Sequence, residues 1–354
     1  MGEKVLMKGN EAIGEAAIRS GCRHFFGYPI TPQTELSAYM AKKMPKIGGV
    51  FLQAESEIAA INMVYGAAGA GARAMTSSSS PGISLKSEGI SYIAGADLPC
   101  VIVDVVRGGP GLGGIQPAQS DYFQATKGGG HGDYHLFVLA PNSVQEMASL
   151  TADAFNKADE YRVPAMILSD GTLGQMMEPV DFDCIPEPCP SVKDWATVGT
   201  GMKREHNIIN SLYLSPEELE KTVIDRHKKY DIIKQKEQRY EAHDIDDADI
   251  IVTAYGTTSR VVESAVKTVR AEGLKVGVIR PITLWPFPEN IFSKAADTAK
   301  AFLSVEMSMG QMVEDVKLAV NGKADVHFFG RTGGIIPTPQ EIAEEIRKIA
   351  GGLR

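Results

Sequence analysis

The feature that most constrains the fold is a set of short strands that are apolar at nearly every position. Cys100–Val106 (CVIVDVV) contains a single charged residue, and similar runs occur at residues 137–140 and 165–168. Helical patterns separate them, for example at residues 144–159. Strands that are apolar on both faces and alternate with helices are typical of a parallel sheet covered on both sides. The sequence therefore predicts an α/β fold with doubly wound, mostly parallel sheets.

A second run of strands and helices begins near residue 247, and a chain of 354 residues is long enough for two or three domains. Before it, prolines between residues 179 and 190 indicate a linker, and residues 215–242 read as a charged surface helix that opens with a capping box. We therefore expect a first domain at 1–185, a linker with a charged helix at 186–246 and a second domain at 247–354.

Composition and charge argue against several classes of protein. The net charge of -8 disfavours binding to nucleic acid through phosphate contacts. No apolar run approaches the roughly 20 residues of a membrane helix, and the first residues do not resemble a signal peptide, so we expect a cytoplasmic protein that binds no membrane. The cysteines lack the spacing of a zinc site or an iron–sulfur cluster, so we expect reduced thiols and no metal on this chain.

Glu57 lies in the first turn of a predicted helix that is rich in alanine and glycine. Glycine costs about 1 kcal/mol relative to alanine inside a helix, so Gly66, Gly69 and Gly71 suggest close approach by another backbone or a flat ligand. The helix dipole favours a carboxylate at this position, whereas apolar neighbours favour its protonated form. This combination suits an acid that shares a proton with a buried ring nitrogen. On spacing alone, however, the better supported alternative is that Glu57 is an ordinary residue at a helix N-terminus with no catalytic role.

The segments that follow the predicted strands are the next candidates, because ligands of parallel sheets bind beyond the carboxyl ends of strands. Arg107 directly follows the strand Cys100–Val106, and its guanidinium could hold a carboxylate by two hydrogen bonds. A structural ion pair is an equally open interpretation. The glycine-rich loops at 108–114 and 127–133 match neither phosphate-binding fingerprint. His131, in the second loop, could act as a general acid or base, although an ordinary loop residue is favoured.

Five segments together resemble the alpha-type subunit of 2-oxoacid:ferredoxin oxidoreductases. They are GYPITPQTE (27–35), QAESEIAAINMVYGA (53–67), SSSSPGISL (77–85), VRGGPGLGG (106–114) and QATKGGGHGDY (124–134). The resemblance covers essentially the whole chain and is nearest to the 3-methyl-2-oxobutanoate (2-ketoisovalerate) member. It implies thiamine diphosphate as the cofactor, and a pyrimidine-binding domain followed by a transketolase C-terminal-like domain.

The resemblance also implies roles for particular residues. Glu57 matches the family's essential glutamate, which bonds the pyrimidine N1′ of the cofactor and promotes loss of the thiazolium C2 proton. Thr31 and Arg107 match residues that bind the keto oxygen and the carboxylate of the substrate. Further expected cofactor contacts lie in the same segments: Pro29, Ile30 and Ser80.

The match implies only half of a cofactor site. Thiamine enzymes bind the diphosphate and Mg²⁺ through Gly-Asp-Gly followed by an asparagine, whereas this chain has Ser169-Asp170-Gly171 and no asparagine at 196–201. The resemblance therefore implies partner chains: a beta-type subunit that carries the diphosphate and Mg²⁺ site, and gamma and ferredoxin-like delta subunits. The iron–sulfur clusters are expected on these partners, with coenzyme A and ferredoxin as reactants.

Three functions remain open at this point. The first is oxidative decarboxylation of a 2-oxoacid, either 3-methyl-2-oxobutanoate or 2-oxoglutarate; the others are a non-oxidative thiamine enzyme and a non-catalytic scaffold. Lys127 is the nearby cation that could bind the second carboxylate of 2-oxoglutarate and so favour that substrate. A branched aliphatic substrate is favoured by an apolar set near the expected site: Ile30, Ile83, Leu112, Ile115 and Phe123.

Overall fold

The structure of the chain, a computed structural model, describes residues 4–189 and 192–353. The strands are β1 Lys4–Lys8, β2 His24–Gly27, β3 Val50–Gln53, β4 Ala74–Ser78, β5 Cys100–Val106, β6 Phe137–Leu139, β7 Pro164–Asp170, β8 Met177–Asp181, β9 Tyr240–His243, β10 Ile250–Thr253, β11 Val276–Pro281, β12 Thr283–Trp285, β13 Ala301–Glu306 and β14 Asp325–Gly330. The α-helices are α1 Gly9–Arg19, α2 Thr34–Lys43, α3 Glu57–Gly69, α4 Pro81–Gly95, α5 Tyr122–Thr126, α6 Val144–Tyr161, α7 Gly171–Gln175, α8 Pro216–Lys236, α9 Gly256–Ala271, α10 Glu289–Ala295, α11 Met312–Val320 and α12 Pro339–Gly352.

A seven-stranded sheet forms the larger part of the core, in the order β12-β6-β7-β5-β4-β2-β3. All neighbours are parallel except β12, which runs antiparallel to β6. Every residue of β4, β5 and β7 is buried, so both faces of the sheet are covered at its centre. The predicted α/β fold with a mostly parallel sheet is confirmed.

A five-stranded sheet follows, in the order β14-β13-β10-β11-β9, and β9 is its one antiparallel strand among the described residues. The predicted extension of the charged helix to residue 242 is wrong. Helix α8 ends at Lys236. Residues 240–243 form β9 instead, which pairs with the carboxyl-terminal residues 278–281 of β11. Sheet pairing overrides the local helical pattern here, because β9 gains a ladder of backbone hydrogen bonds along the sheet edge. The helix also buries Tyr230 and Ile233, so it is not only a solvated element.

One of the prolines that indicated a linker lies in regular structure instead. Pro179 belongs to β8, which pairs antiparallel with β1 in a separate two-stranded sheet that the sequence did not suggest. A proline is tolerated on such an edge strand because its missing N–H need not join a ladder. Pro190, the last proline of the predicted linker, lies outside the described residues.

The two halves of the chain share elements. Strand β12 comes from the second half but adds to the edge of the first sheet, and Trp285 stacks on His135 with ring centroids 4.5 Å apart. Gln119 joins the halves at another point, donating to the Tyr255 carbonyl at 2.8 Å and accepting from Thr258 Oγ1 at 2.8 Å. The domain limits 1–185, 186–246 and 247–354 stay a prediction.

The order of strands places several loops at one edge of the first sheet. Strands β3, β2, β4 and β5 are consecutive parallel neighbours, so their carboxyl ends lie side by side. The segments that leave these ends lead to Glu57, Thr31, Ser80 and Arg107, respectively. This edge is where ligands of such sheets bind.

Candidate functional site

Glu57 begins α3 at this edge and is 6% exposed. Ser56 fixes the start of the helix by accepting the Ala59 N–H on its side-chain oxygen at 3.1 Å. Helix α4 packs closely against it, since a β-carbon built on Gly82 would lie only 2.7 Å from Glu57 Oε1. No group within residues 4–189 and 192–353 donates a hydrogen bond to the Glu57 carboxylate, so it remains available to a ligand.

The close approach between α3 and α4 depends on glycines of α4. A β-carbon on Gly89 would lie 2.4 Å from Ile61 Cγ2, and Gly82 touches Glu57 as described. A β-carbon on Gly66 of α3 would have no atom of the described residues within 4 Å, so no backbone of this part of the chain approaches it. Gly71 lies at φ +84°, just after the helix, where its positive φ favours glycine.

Lys86 lies one turn after Gly82 on α4 and is fully buried. Its Nζ donates to Thr76 Oγ1 and to the Ser77 carbonyl, both at 2.9 Å and both on β4. Burial lowers the pKa of Lys86 to about 7, although the negative charge of Glu57 acts in the opposite direction. The site therefore contains a buried amine that can change charge near neutral pH.

Asp104 and Asp121 form a pair of neighbouring carboxyl groups near this lysine. Burial raises the pKa of Asp104 on β5 well above its usual range, and the neighbouring Asp121 raises it further. Burial also raises the pKa of Asp121. Asp104 is therefore the member of the pair that holds a proton, because two adjacent buried carboxylates would repel each other.

Ser80 connects this pair to the end of β5. Its N–H donates to Asp104 Oδ1 at 3.2 Å, and its hydroxyl donates to Asp121 Oδ2 at 2.6 Å. The same hydroxyl oxygen accepts the backbone N–H of Arg107 at 3.1 Å. Ser80 has φ 20° and ψ -80°, an uncommon conformation of a kind that concentrates at functional sites. Its side chain is thus occupied within the protein, which leaves its role as a predicted cofactor contact a proposal.

Arg107 contacts Thr31, but through the backbone carbonyl of Thr31 and not through its side chain. Arg107 is 9% exposed, and its Nη1 donates to the Thr31 carbonyl at 3.0 Å. Nη2 donates to the Leu112 carbonyl at 3.2 Å, and Nε is buried without a partner among the described residues. Leu112 is 83% exposed, so this contact joins the guanidinium to a solvent-exposed loop. No carboxylate of the described residues pairs with Arg107, so the alternative of a structural ion pair is not observed.

The loop after β2 carries the remaining predicted residues. Pro29 is exposed, Ile30 is half-buried and Thr31 is exposed. Gln33 closes the loop by donating its backbone N–H to the Ile30 carbonyl at 3.1 Å. Gln33 is itself fixed to the sheet, since its Oε1 accepts the Ser77 hydroxyl at 2.6 Å. The loop is therefore anchored while the Thr31 side chain stays accessible.

Other predicted residues lie in different environments. Ile83 is buried in the core and does not line an accessible pocket, so that part of the predicted apolar set is wrong. Lys127 forms an ion pair with Asp315, which links the loop after α5 to α11. His131 is exposed, and its ring lies edge-on to Tyr92 at a centroid distance of 6.3 Å.

The residues fit the pyrimidine half of thiamine diphosphate and not its diphosphate half. Glu57 offers a carboxylate that is unpaired among the described residues and lies beside Gly82, where a β-carbon would be 2.7 Å from its Oε1. Asp170, the acid of the near-match motif, is buried and caps α7 by accepting the N–H groups of Thr172 at 2.8 Å and Leu173 at 3.3 Å. Its Oδ1 is thus committed to capping the helix, and the buried side chain does not form an open Mg²⁺ site.

Sequence reasoning missed the buried ionisable residues beneath Glu57. Asp104 carried a signal, because it is the single charge in the apolar strand CVIVDVV. Lys86 carried a weaker one, since it follows Gly82 by four positions and therefore lies on the same face of α4. Asp121 carried no signal in the sequence that distinguishes it from other polar residues that precede a short helix.

Comparison with known proteins identifies the family. Ketoisovalerate oxidoreductase subunit VorB of Methanothermobacter marburgensis is 51% identical over 347 residues, which cover 98% of each chain. The chain belongs to the 2-oxoacid:ferredoxin oxidoreductase family. The model of the pyruvate flavodoxin/ferredoxin oxidoreductase thiamine-diphosphate-binding domain matches residues 15–185, and that of pyruvate:ferredoxin oxidoreductase core domain II matches residues 248–342.

Two further comparisons extend this result. The 2-oxoglutarate synthase subunit KorA of the same organism is 40% identical over 377 residues, covering 98% of this chain and 99% of that protein. A solved structure, 2-oxoglutarate:ferredoxin oxidoreductase from Magnetococcus marinus with 2-oxoglutarate, coenzyme A and succinyl-CoA bound, superposes with a TM-score of 0.86 at 31% identity. The match covers 98% of this chain and 65% of the length of that solved chain.

These findings confirm the family resemblance, the fold and the expectation of a thiamine-diphosphate-dependent oxidoreductase subunit. Members of this family act as subunits of larger enzymes. Within residues 4–189 and 192–353, no helix has the length and apolar character needed to cross a bilayer.

Proposed function

We propose that this chain is the alpha-type subunit of a complex that converts 3-methyl-2-oxobutanoate, coenzyme A and oxidised ferredoxin to an acyl-CoA, CO₂ and reduced ferredoxin. The observation that carries the proposal is the Glu57 carboxylate, which is buried and unpaired among the described residues beside Gly82. It lies at the sheet edge to which Arg107 and Thr31 also belong.

Glu57 has the proposed role of binding the cofactor's pyrimidine ring. When bound, thiamine diphosphate supplies the carbon nucleophile that attacks a keto group. The Glu57 carboxylate holds the proton that it shares with the ring nitrogen N1′, and the α3–α4 contact keeps it in place. Proton transfer by a positioned carboxyl group typically contributes about 10²–10⁴ to a rate. Pro29, Ile30 and Ser80 are proposed to complete the pyrimidine site, with Ser80 acting through the conformation of its backbone.

Arg107 has the proposed role of holding the substrate carboxylate. Its Nη2 now donates to the carbonyl of Leu112, on an exposed loop, and a carboxylate is a stronger acceptor for guanidinium than a neutral carbonyl. We infer that the loop moves away when substrate binds, while Nη1 keeps its contact to Thr31. The exposed Thr31 hydroxyl then lies on the same anchored loop, where it can bond the keto oxygen.

A beta-type partner is proposed to complete the site. Asp170 is occupied by helix capping, so the Mg²⁺ and diphosphate groups need ligands from another chain. Apolar side chains next to Glu57 and Gly82 are also exposed, with Ile58 at 50% and Leu85 at 51%. A partner that covers them would exclude water from the cofactor. Gamma and ferredoxin-like delta subunits with iron–sulfur clusters complete the proposed complex.

The choice of substrate follows from the charges near the site. Lys127, the cation that could bind the second carboxylate of 2-oxoglutarate, is already paired with Asp315. The relatives point the same way, because the ketoisovalerate subunit is 51% identical and the 2-oxoglutarate subunit 40%. A 2-oxoglutarate enzyme is the alternative, and the exposure of Lys127, at 42%, is the observation that favours it.

Three measurements test this function. Purification of the native complex should yield this chain with partners that carry iron and thiamine diphosphate, and the complex should reduce a viologen dye only when 2-oxoacid and coenzyme A are both present. The isolated chain should bind thiamine diphosphate weakly, because Mg²⁺ coordination is absent from its half of the site. Mg²⁺-dependent micromolar binding by the isolated chain would contradict the half-site, and a chain that purifies without partners would favour a different role.

We also propose a cytoplasmic location, which the four free cysteines support.

A further inference from the structure

Lys86 is the one lysine with a fully buried side chain in the described part of the sequence. Burying an ammonium group is costly, and such groups are usually paired with a carboxylate at hydrogen-bond distance. Lys86 instead has only neutral acceptors, Thr76 Oγ1 and the Ser77 carbonyl. Its burial therefore costs stability without the compensation of a direct ion pair, and such sites often have a functional reason.

The surroundings of Lys86 contain two acidic groups at a longer range. Glu57 on α3 and Asp104 on β5 are the acidic groups near Lys86, and the negative charge of Glu57 favours the charged form of the lysine. Asp121 lies beyond Asp104 and leaves that carboxyl protonated. Glu57 is therefore the acidic group whose charge can vary with ligand binding and be felt by Lys86.

We propose that Lys86 is a positioning residue for Glu57. When a pyrimidine ring nitrogen takes up the proton that it shares with Glu57, Lys86 releases a proton. One N–H bond breaks at Nζ and one forms at the ring nitrogen, so the buried site keeps its number of protons. Lys86 touches neither cofactor nor substrate in this arrangement. This inference rests on the proposed role of Glu57.

The physical reason is electrostatic compensation. Without cofactor, the Glu57 carboxylate stabilises the Lys86 ammonium across the α3–α4 contact. When a proton settles between Glu57 and a ring nitrogen, the carboxylate charge is offset and the ammonium loses that stabilisation. Burial then favours the neutral amine, whose pKa of about 7 already lies in the range where the proton can leave.

Calorimetry counts the protons directly, without a turnover assay. Thiamine diphosphate is titrated with Mg²⁺ into the cofactor-depleted native complex, in buffers of different ionisation enthalpy, from pH 6 to 8.5. For the natural complex we expect net proton uptake near zero at pH 6 and near one at pH 8.5, where Lys86 is already neutral. Lys86→Met should take up close to one proton throughout. Lys221→Met, on the exposed face of α8, is the matched control and should follow the natural complex.

A second variant covers the case in which Lys86→Met does not fold. Thr76→Val keeps the buried volume but removes one of the two acceptors of the ammonium, so the crossover from zero to one proton should move to lower pH. The same proton count at every pH in the natural complex and Lys86→Met, or an unmoved crossover in Thr76→Val, would overturn the role of Lys86. Glu57→Gln separates the two claims: if it leaves deuterium exchange at thiamine C2 unchanged, the proposed function itself fails.

Discussion

Gly82 lies so close to Glu57 that a β-carbon at this position would be 2.7 Å from Glu57 Oε1. The same β-carbon would be 2.0 Å from Ser78 Oγ at the end of β4. A side chain at this position must therefore displace the carboxylate or move α4 away from the sheet. The placement of the proposed catalytic carboxylate thus depends on glycine, which has no side chain, at position 82 of α4.

Gly82→Ala tests this dependence. Overpacking of this kind typically costs about 1–3 kcal/mol, so the free energy of unfolding should fall by that amount and thiamine diphosphate should bind the complex more weakly. Gly66→Ala is the matched control, since nothing lies within 4 Å of its β-carbon, and it should stabilise the chain by up to about 1 kcal/mol. Chemical denaturation and calorimetry give both quantities. Equal effects of the two variants would show that the Gly82 contact has no special importance.

Arg107→Lys tests the carboxylate-binding role, because lysine keeps the charge but lacks the planar pair of donors. Loss of a charge-assisted hydrogen bond costs about 1.5–3 kcal/mol, so KM for the 2-oxoacid should rise about tenfold or more. Deuterium exchange at thiamine C2 without substrate should stay close to normal. Arg347→Lys, which alters an exposed ion pair with Glu272, serves as the control. An unchanged KM in Arg107→Lys would exclude the proposed contact.

The buried amine of Lys86 predicts a pH dependence of stability. Its pKa is lowered from 10.5 to about 7 in the folded chain, so between these values the unfolded chain binds more protons than the folded one. Stability should therefore rise as pH increases from 7 towards 10, by at most about 1.4 kcal/mol per pH unit from this group. Lys86→Met should be more stable at pH 7 and should lose this part of the slope. Urea denaturation at pH 7, 8 and 9 measures it, and parallel slopes for the two proteins would refute the assignment.

Substrate preference follows from the pairing of Lys127 with Asp315. A misfit methylene changes discrimination by only about 1–3 kcal/mol, so several branched 2-oxoacids should be accepted with similar kcat/KM. A second carboxylate buried without a partner should cost more than that. We therefore expect kcat/KM for 3-methyl-2-oxobutanoate to exceed that for 2-oxoglutarate in a viologen-linked assay of the native complex. A preference for 2-oxoglutarate, abolished by Lys127→Met, would show that Lys127 leaves Asp315 to bind substrate.

The sequence alone was sufficient for the parallel strands of the first sheet and for the position of Arg107 at the end of one of them. The strand Cys100–Val106 has the predicted bounds, because a run of seven apolar or nearly apolar residues between a helix and a glycine loop has few alternatives. Strand β9 was missed because its four residues continue a charged helical pattern, and only pairing with β11 makes them a strand. Strand β12 was missed for a similar reason, since its partner β6 lies more than a hundred positions earlier.

The network around the candidate site was less predictable. Lys86 lies on α4, Asp104 on β5 and Asp121 just before α5, and only tertiary packing brings them to one place. Local patterns do not encode such contacts between distant positions. The orientation of Arg107 towards the carbonyls of Thr31 and Leu112 likewise depends on loop conformations that the sequence does not specify.

Deuterium exchange at C2 of thiamine diphosphate in the assembled complex tests the role of Glu57 most directly. Glu57→Gln removes the ionisable partner of the pyrimidine nitrogen while preserving the volume of the side chain, so the exchange rate should fall by about 10²–10⁴. Glu55→Gln is the matched control, because Glu55 is two positions away and exposed, and its exchange rate should equal that of the natural complex. An exchange rate in Glu57→Gln that equals that of Glu55→Gln would contradict the assignment of Glu57 as the catalytic carboxylate.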